Sequence, residues 1–119
     1  MSLTATFSFD ITKITKIKVL NIYANPSYAD YVKTWMNNYG QGKIEVDPLY
    51  VDDFNANPTA KLGDRGSWQY DVIIFGFSDC YSNKDLVAAS AAVTRRFGED
   101  GHGILFGHDT IEGNGCANP

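Results

Sequence analysis

The hydrophobic positions of this chain fall in short runs separated by turn residues, and the period of each run predicts its element. Residues 4 to 15 alternate polar and apolar through Phe7, Phe9 and Ile11. A period of two fits an edge strand or an extended N-terminal arm, and residues 1–15 are read as one or the other. Lys16 to Tyr23 is β-branched and aliphatic, a strand that stops at the turn residues Ala24-Asn25-Pro26-Ser27. Tyr28, Tyr31, Val32, Trp35, Met36 and Tyr39 then recur at helical spacing. They predict one apolar helix face ended by Gly40. The rings of Tyr23, Tyr28, Tyr31, Trp35 and Tyr39, which could form a sugar-binding strip, are read instead as core contacts with the tyrosine hydroxyls at the rim. Lys43 to Val51 is a second strand, and Pro48, which removes a ladder donor, assigns it to a sheet edge.

Asp52 to Gln69 is the least regular stretch. It predicts a short helical turn at Asp52-Asp53-Phe54-Asn55, another from Pro58 to Leu62, and a turn at Gly63-Asp64-Arg65-Gly66, with Trp68 exposed. Val72 to Phe77 is apolar at nearly every position, as in a strand covered on both faces, and leads to Ser78-Asp79-Cys80. Tyr81-Ser82-Asn83 supplies capping residues for a helix from Lys84 to Phe97 with Leu86, Ala89, Ser90, Val93 and Phe97 on one face and Gly98 as its stop. Gly103 to Gly107 is a short strand before His108-Asp109-Thr110, and the chain beyond Ile111 has no period. Right-handed crossovers then give a three-layer α/β fold with an open parallel sheet in the order second, first, third, fourth strand. Residues 16–111 form the domain and 112–119 an irregular tail. A sheet that ends in a short apolar edge strand looks unfinished. Either the domain is cut short, or a second molecule completes the edge as a homodimer.

Composition narrows the classes. With 44% apolar and 20% charged residues the chain is of globular type, and a net charge of −4 with scattered basic residues gives no electrostatic reason for a nucleic-acid partner. No run is long enough to insert in a bilayer, and the first residues lack the basic start and apolar core of a signal peptide. Cys80 and Cys116 permit at most one internal disulfide.

The strand Lys18-Val19-Leu20-Asn21-Ile22-Tyr23, the Tyr-Asp entry to Val-Ile-Ile-Phe-Gly-Phe, and Gly103-Ile104-Leu105-Phe106-Gly107-His108-Asp109-Thr110 together resemble the class I glutamine amidotransferase-like, flavodoxin-like superfamily. The resemblance is to an uncharacterised kind of domain found in large cell-surface proteins of bacteria. It covers residues 16 to 111 and implies a location outside the cell. Active members carry a cysteine in a Gly-x-Cys-x-Gly elbow; here Gly107-His108-Asp109-Thr110-Ile111 has Asp109 in the cysteine's place, so the thiolate chemistry is not implied.

The residue pattern offers three candidate sites. Cys80 with His108 and Asp109 would make a thiol and imidazole pair, set against a buried thiol and a turn cap. Asp79, His108 and Asp109, with Asn25, would suit a divalent metal by ligand type, although no metal-binding spacing accompanies them, and no resident metal is assigned. Asn25-Pro26-Ser27-Tyr28 would present helix-start amides to an anion, set against a capping turn. The chain lacks the glycines of a dinucleotide or P-loop site and the Ser/Thr-rich loop of flavodoxins, so no cofactor is assigned and FMN is disfavoured. The ligand-binding candidates are Asn25, Ser78, Asp79, His108 and Asp109. The expected function is a non-catalytic or degenerate binding or structural module, partnered by a small molecule or by other domains of its parent. The competing class is a small hydrolase that uses Cys80 with His108, or a metal held by Asp79, His108 and Asp109.

Overall fold

A computed structural model describes residues 16–76, 84–107 and 110. The chain lays down strand β1 (Ile17–Tyr23), helix α1 (Tyr31–Tyr39) and strand β2 (Ile44–Tyr50). Two short helices follow, α2 (Val51–Ala56) and α3 (Pro58–Leu62), and then strand β3 (Val72–Phe75), helix α4 (Ala88–Glu99) and strand β4 (Gly103–Phe106). The four strands form one parallel sheet in the order β2-β1-β3-β4. This is the open α/β architecture expected from the apolar runs.

Strand alternation sorts the core into two layers. Leu20 and Ile22 of β1 and Ile73 and Phe75 of β3 point to one face, where Val51 and Phe54 of α2, Leu62 of α3 and Val93 and Phe97 of α4 cover them. Val19, Val46 and Ile74 point to the other face, where Val32 of α1 completes a much smaller cluster. Burial of a side chain such as Phe54, Phe75 or Phe97 contributes about 1.5–3 kcal/mol each, and all three are fully buried on the first face. The β3–β4 half of the second face has no helix over it among the described residues, and Leu105 there is 56% exposed.

Several element details differ from expectation for local reasons. Helix α1 starts at Tyr31, after a 3₁₀ turn at Pro26–Tyr28, and buries only Val32. Val32 and Met36 suffice to cover the small cluster. Tyr31, Trp35 and Tyr39, predicted as core contacts, therefore stay outside, with Tyr39 81% exposed and Tyr31 and Trp35 stacked on each other at 6.2 Å, whereas Tyr23 and Tyr28 are half-buried.

Helix α4 starts at Ala88 rather than Lys84 because the Asn55 side chain donates to the Asp85 carbonyl (2.9 Å) and accepts from the Val87 N–H (3.1 Å), which holds that segment extended. Its buried face is Ser90, Val93, Thr94 and Phe97, and Ala89 is exposed. The helix runs through Gly98 to Glu99, and the left-handed turn falls at Gly101 (φ 91°). Trp68 is not free in solvent: it packs edge-on against Phe97 at 5.1 Å and donates from Nε1 to Asp100 at 2.8 Å. The N-terminal arm 1–15, Phe77, the capping residues Tyr81-Ser82-Asn83 and the tail from 111, with Cys116, lie outside the described residues.

Candidate functional site

The order β2-β1-β3-β4 makes the chain reverse direction across the sheet between β1 and β3, and ligands of open α/β sheets bind outside the carboxyl ends of the strands at such a point. The predicted candidates Ser78, Asp79, Cys80, His108 and Asp109 all follow the carboxyl ends of β3 and β4, but they lie outside the described residues. What is described is the frame that carries them. β3 ends at Gly76, whose φ of 73° lets the chain leave the sheet through a left-handed conformation. β4 ends at Gly107, whose N–H donates to the Phe75 carbonyl at 2.8 Å. A Cβ on Gly107 would lie 1.9 Å from the Gly76 carbonyl oxygen, so the two exits touch backbone to backbone and no side chain fits between them. The loops that hold Cys80 and His108 thus start side by side.

Both loops are tied down at their far ends. Thr110 is fully buried and its hydroxyl donates to the Gly107 carbonyl at 2.7 Å. Lys84, the first described residue after the β3 loop, is anchored on Asp52 of α2 at 2.8 Å and stands over the Tyr50 ring at 5.8 Å. The hydrogen bond to Asp52 raises the Lys84 pKa above its ordinary value, so the ammonium is the stable form. This also gives Asp52 its role: it is a surface anchor in the first turn of α2.

Among the predicted site residues only Asn25 is described. Its Oδ1 accepts from the Ser27 N–H at 3.0 Å and caps the 3₁₀ turn. That bond occupies the amide an anion would need, and α1 itself begins only at Tyr31. The geometry at Asn25-Pro26-Ser27-Tyr28 is therefore that of the capping turn, and the anion site there is set aside. Among the described residues no group of three or more His, Cys, Asp or Glu side chains could hold a metal ion, and no helix is long and apolar enough to cross a membrane.

One residue at this end went unnoticed in the sequence. Asn21 of β1 is fully buried, and among the described residues neither its Oδ1 nor its Nδ2 has a hydrogen-bond partner. It lies between Leu20 and Ile22, which face the larger cluster, so it points to the α1 face, in register with Pro48 and Ile74. A buried amide without partners costs about 1–3 kcal/mol per unmet group. The signal was available, since Asn21 is the one polar residue in the run Val19 to Tyr23.

The described frame is limited and specific: the chain exits at Gly76 and Gly107 touch, and the strand next to β3 carries a buried Asn21 amide with no partner among the described residues. Comparison of the chain with protein-family models, with curated proteins and with solved structures found no match.

Proposed function

We propose that this domain is a non-catalytic binding or structural module of a larger surface protein, a degenerate relative of the amidotransferase-like domains. The single observation that carries the reading is the asymmetry of the sheet. Among the described residues Leu105 of β4 is 56% exposed on the α1 face and the β4 edge is apolar and unpaired, so this side suits a contact with another polypeptide. Asp109 in the nucleophile's position agrees with it, because a carboxylate cannot supply the thiolate chemistry of the active enzymes. The resemblance of β1, β3 and β4 to bacterial surface domains supports a location outside the cell and partners drawn from neighbouring domains of the same protein. A small molecule at the carboxyl ends of β1 and β3 is compatible with this role, with Asn21 beneath it.

A second reading has one observation in its favour. The backbone contact between Gly76 and Gly107 roots the Cys80 and His108 loops side by side, as a thiol and imidazole hydrolase would need. Alkylation of Cys80 by iodoacetamide, measured in the Cys116→Ser chain between about pH 5 and 9, separates the two. The module reading expects a single titration at or above about 8.5, the value of an ordinary thiol. A midpoint depressed by two or more units, abolished by His108→Ala, would replace it with the hydrolase.

A further inference from the structure

The two edges of the sheet are finished differently. β2 carries Glu45 and Asp47 and is interrupted by Pro48, the devices by which edge strands are kept from pairing. β4 reads Gly103-Ile104-Leu105-Phe106-Gly107, with no charge and no proline. Its inner side is used: Gly103 N–H donates to Asp71 at 3.2 Å and Gly107 N–H to Phe75 at 2.8 Å. By alternation Leu105 also faces β3, and the N–H and C=O groups of Ile104 and Phe106 point outward with no partner among the described residues.

We infer that β4 pairs with β4 of a second copy of this chain, antiparallel about a two-fold axis at Leu105. The register follows from the strand itself. In an antiparallel pair the outward-facing residues must oppose one another, and a two-fold at Leu105 sets Ile104 against Phe106 of the second copy and Phe106 against its Ile104. Each pair exchanges both backbone hydrogen bonds. Leu105 then meets its own equivalent in the closely spaced, non-hydrogen-bonded position, where two side chains that are 56% exposed in the single chain cover each other. Gly103 and Gly107 oppose each other at the two ends and leave the approach free of side chains. The edge is self-complementary, whereas β2 is interrupted by Pro48 and bears two carboxylates, which disfavour such pairing. A four-residue strand buries little against the roughly 1,000 Å² of a stable interface, so the dimer is a weak one, with dissociation in the range of about 1 µM to 1 mM. The inference does not depend on whether Cys80 is catalytic.

Sedimentation velocity of the full chain across that range tests it. The expected result is a reversible monomer–dimer equilibrium. Leu105→Lys, which sets two ammonium groups opposite each other at an exposed position, weakens it by about tenfold or more. Ile104→Pro, which removes an outward N–H without touching a β3–β4 bond, does the same, with the far-ultraviolet circular dichroism of both variants unchanged. Trp35→Ser, on the exposed flank of α1, leaves the equilibrium in place. A chain that stays monomeric throughout, or association that survives Leu105→Lys, overturns the inference. Association lost in Trp35→Ser but kept in Leu105→Lys moves the interface to α1 and overturns it equally.

Discussion

The amino and carboxyl ends of the same sheet are held in different ways, and the difference shows where its ionic and aromatic contacts gather. At the amino ends of β3 and β4 the turn 63–68 is riveted to the last turn of α4. Arg96 grips Asp64 with two hydrogen bonds of 2.9 and 2.8 Å, and Arg65 reaches Glu99 at 2.5 Å and Asp100 at 3.2 Å. Trp68 donates to Asp100, and Phe97 is fully buried between Trp68 and His102, with ring centroids 5.1 and 4.5 Å away. Lys18 and Asp71 exchange hydrogen bonds of 2.8 Å where β1 meets β3, and buried Tyr70 donates its hydroxyl to Asp47 at 2.7 Å. Desolvation, and then that bond, raise the Tyr70 pKa, so the phenol stays neutral. At the carboxyl ends the described contacts are fewer: a backbone touch, a threonine hydroxyl, one lysine anchor, the two Asn55 hydrogen bonds to Asp85 and Val87, and an asparagine with no partner among the described residues. Among the described residues the ionic and aromatic contacts thus gather at the amino ends.

Phe97→Ala removes the ring that joins α4, Trp68 and His102, and is expected to destabilise the fold by about 3–5 kcal/mol. Urea unfolding at constant m-value checks it. A loss under about 1 kcal/mol would show that the ionic contacts around it, rather than the buried ring, hold this end together.

At the carboxyl end, replacement of Asn21 acts with the opposite sign. Asn21→Leu fills the same space with no unmet polar group, and is expected to stabilise the chain by about 1–3 kcal/mol. The same urea measurement reads it. A destabilised Leu variant would mean that the amide is satisfied in solution, and the carboxyl end would then be as well bonded as the amino end.

The apolar runs alone were enough for the sheet and its order, because a parallel strand covered on both faces leaves a long hydrophobic signature that little else imitates. Ile73, Ile74 and Phe75 are such a run, and Pro48 marked its strand as an edge. The helix faces were less legible. Tyr31, Trp35 and Tyr39 have the spacing of a buried stripe, yet the cluster beneath α1 is small enough for Val32 and Met36 to fill. Periodicity reports which residues share a face, and the size of the facing cluster decides how many are buried. The late start of α4 was hidden because Asn55, which holds Val87 and Asp85, is 32 and 30 residues away in sequence. Of the candidate site, the place was readable from strand order, whereas the unmet amide of Asn21 needed the burial of its surroundings to be seen.

The smallest expected effect lies in the acid limb of stability. The Arg96 hydrogen bonds, and then the Arg65 N–H at 2.8 Å, hold the Asp64 carboxyl below its ordinary value of 3.8. A folded-state pKa lower than the unfolded one means that protons bind the unfolded chain more tightly. The contribution of Asp64 is therefore complete above 3.8 and disappears as pH falls through the lower, folded value. Both partners are partly exposed, at 33% and 42%, so water and salt reduce what the pair supplies. Asp64→Asn should melt below the parent at neutral pH and lose less of its melting temperature as the pH is taken below 3.8, so that the two curves converge in acid. Curves that stay parallel would show that the Asp64–Arg96 grip adds nothing to the amino end, and would leave Phe97 and its ring partners as the source of the contrast between the two ends.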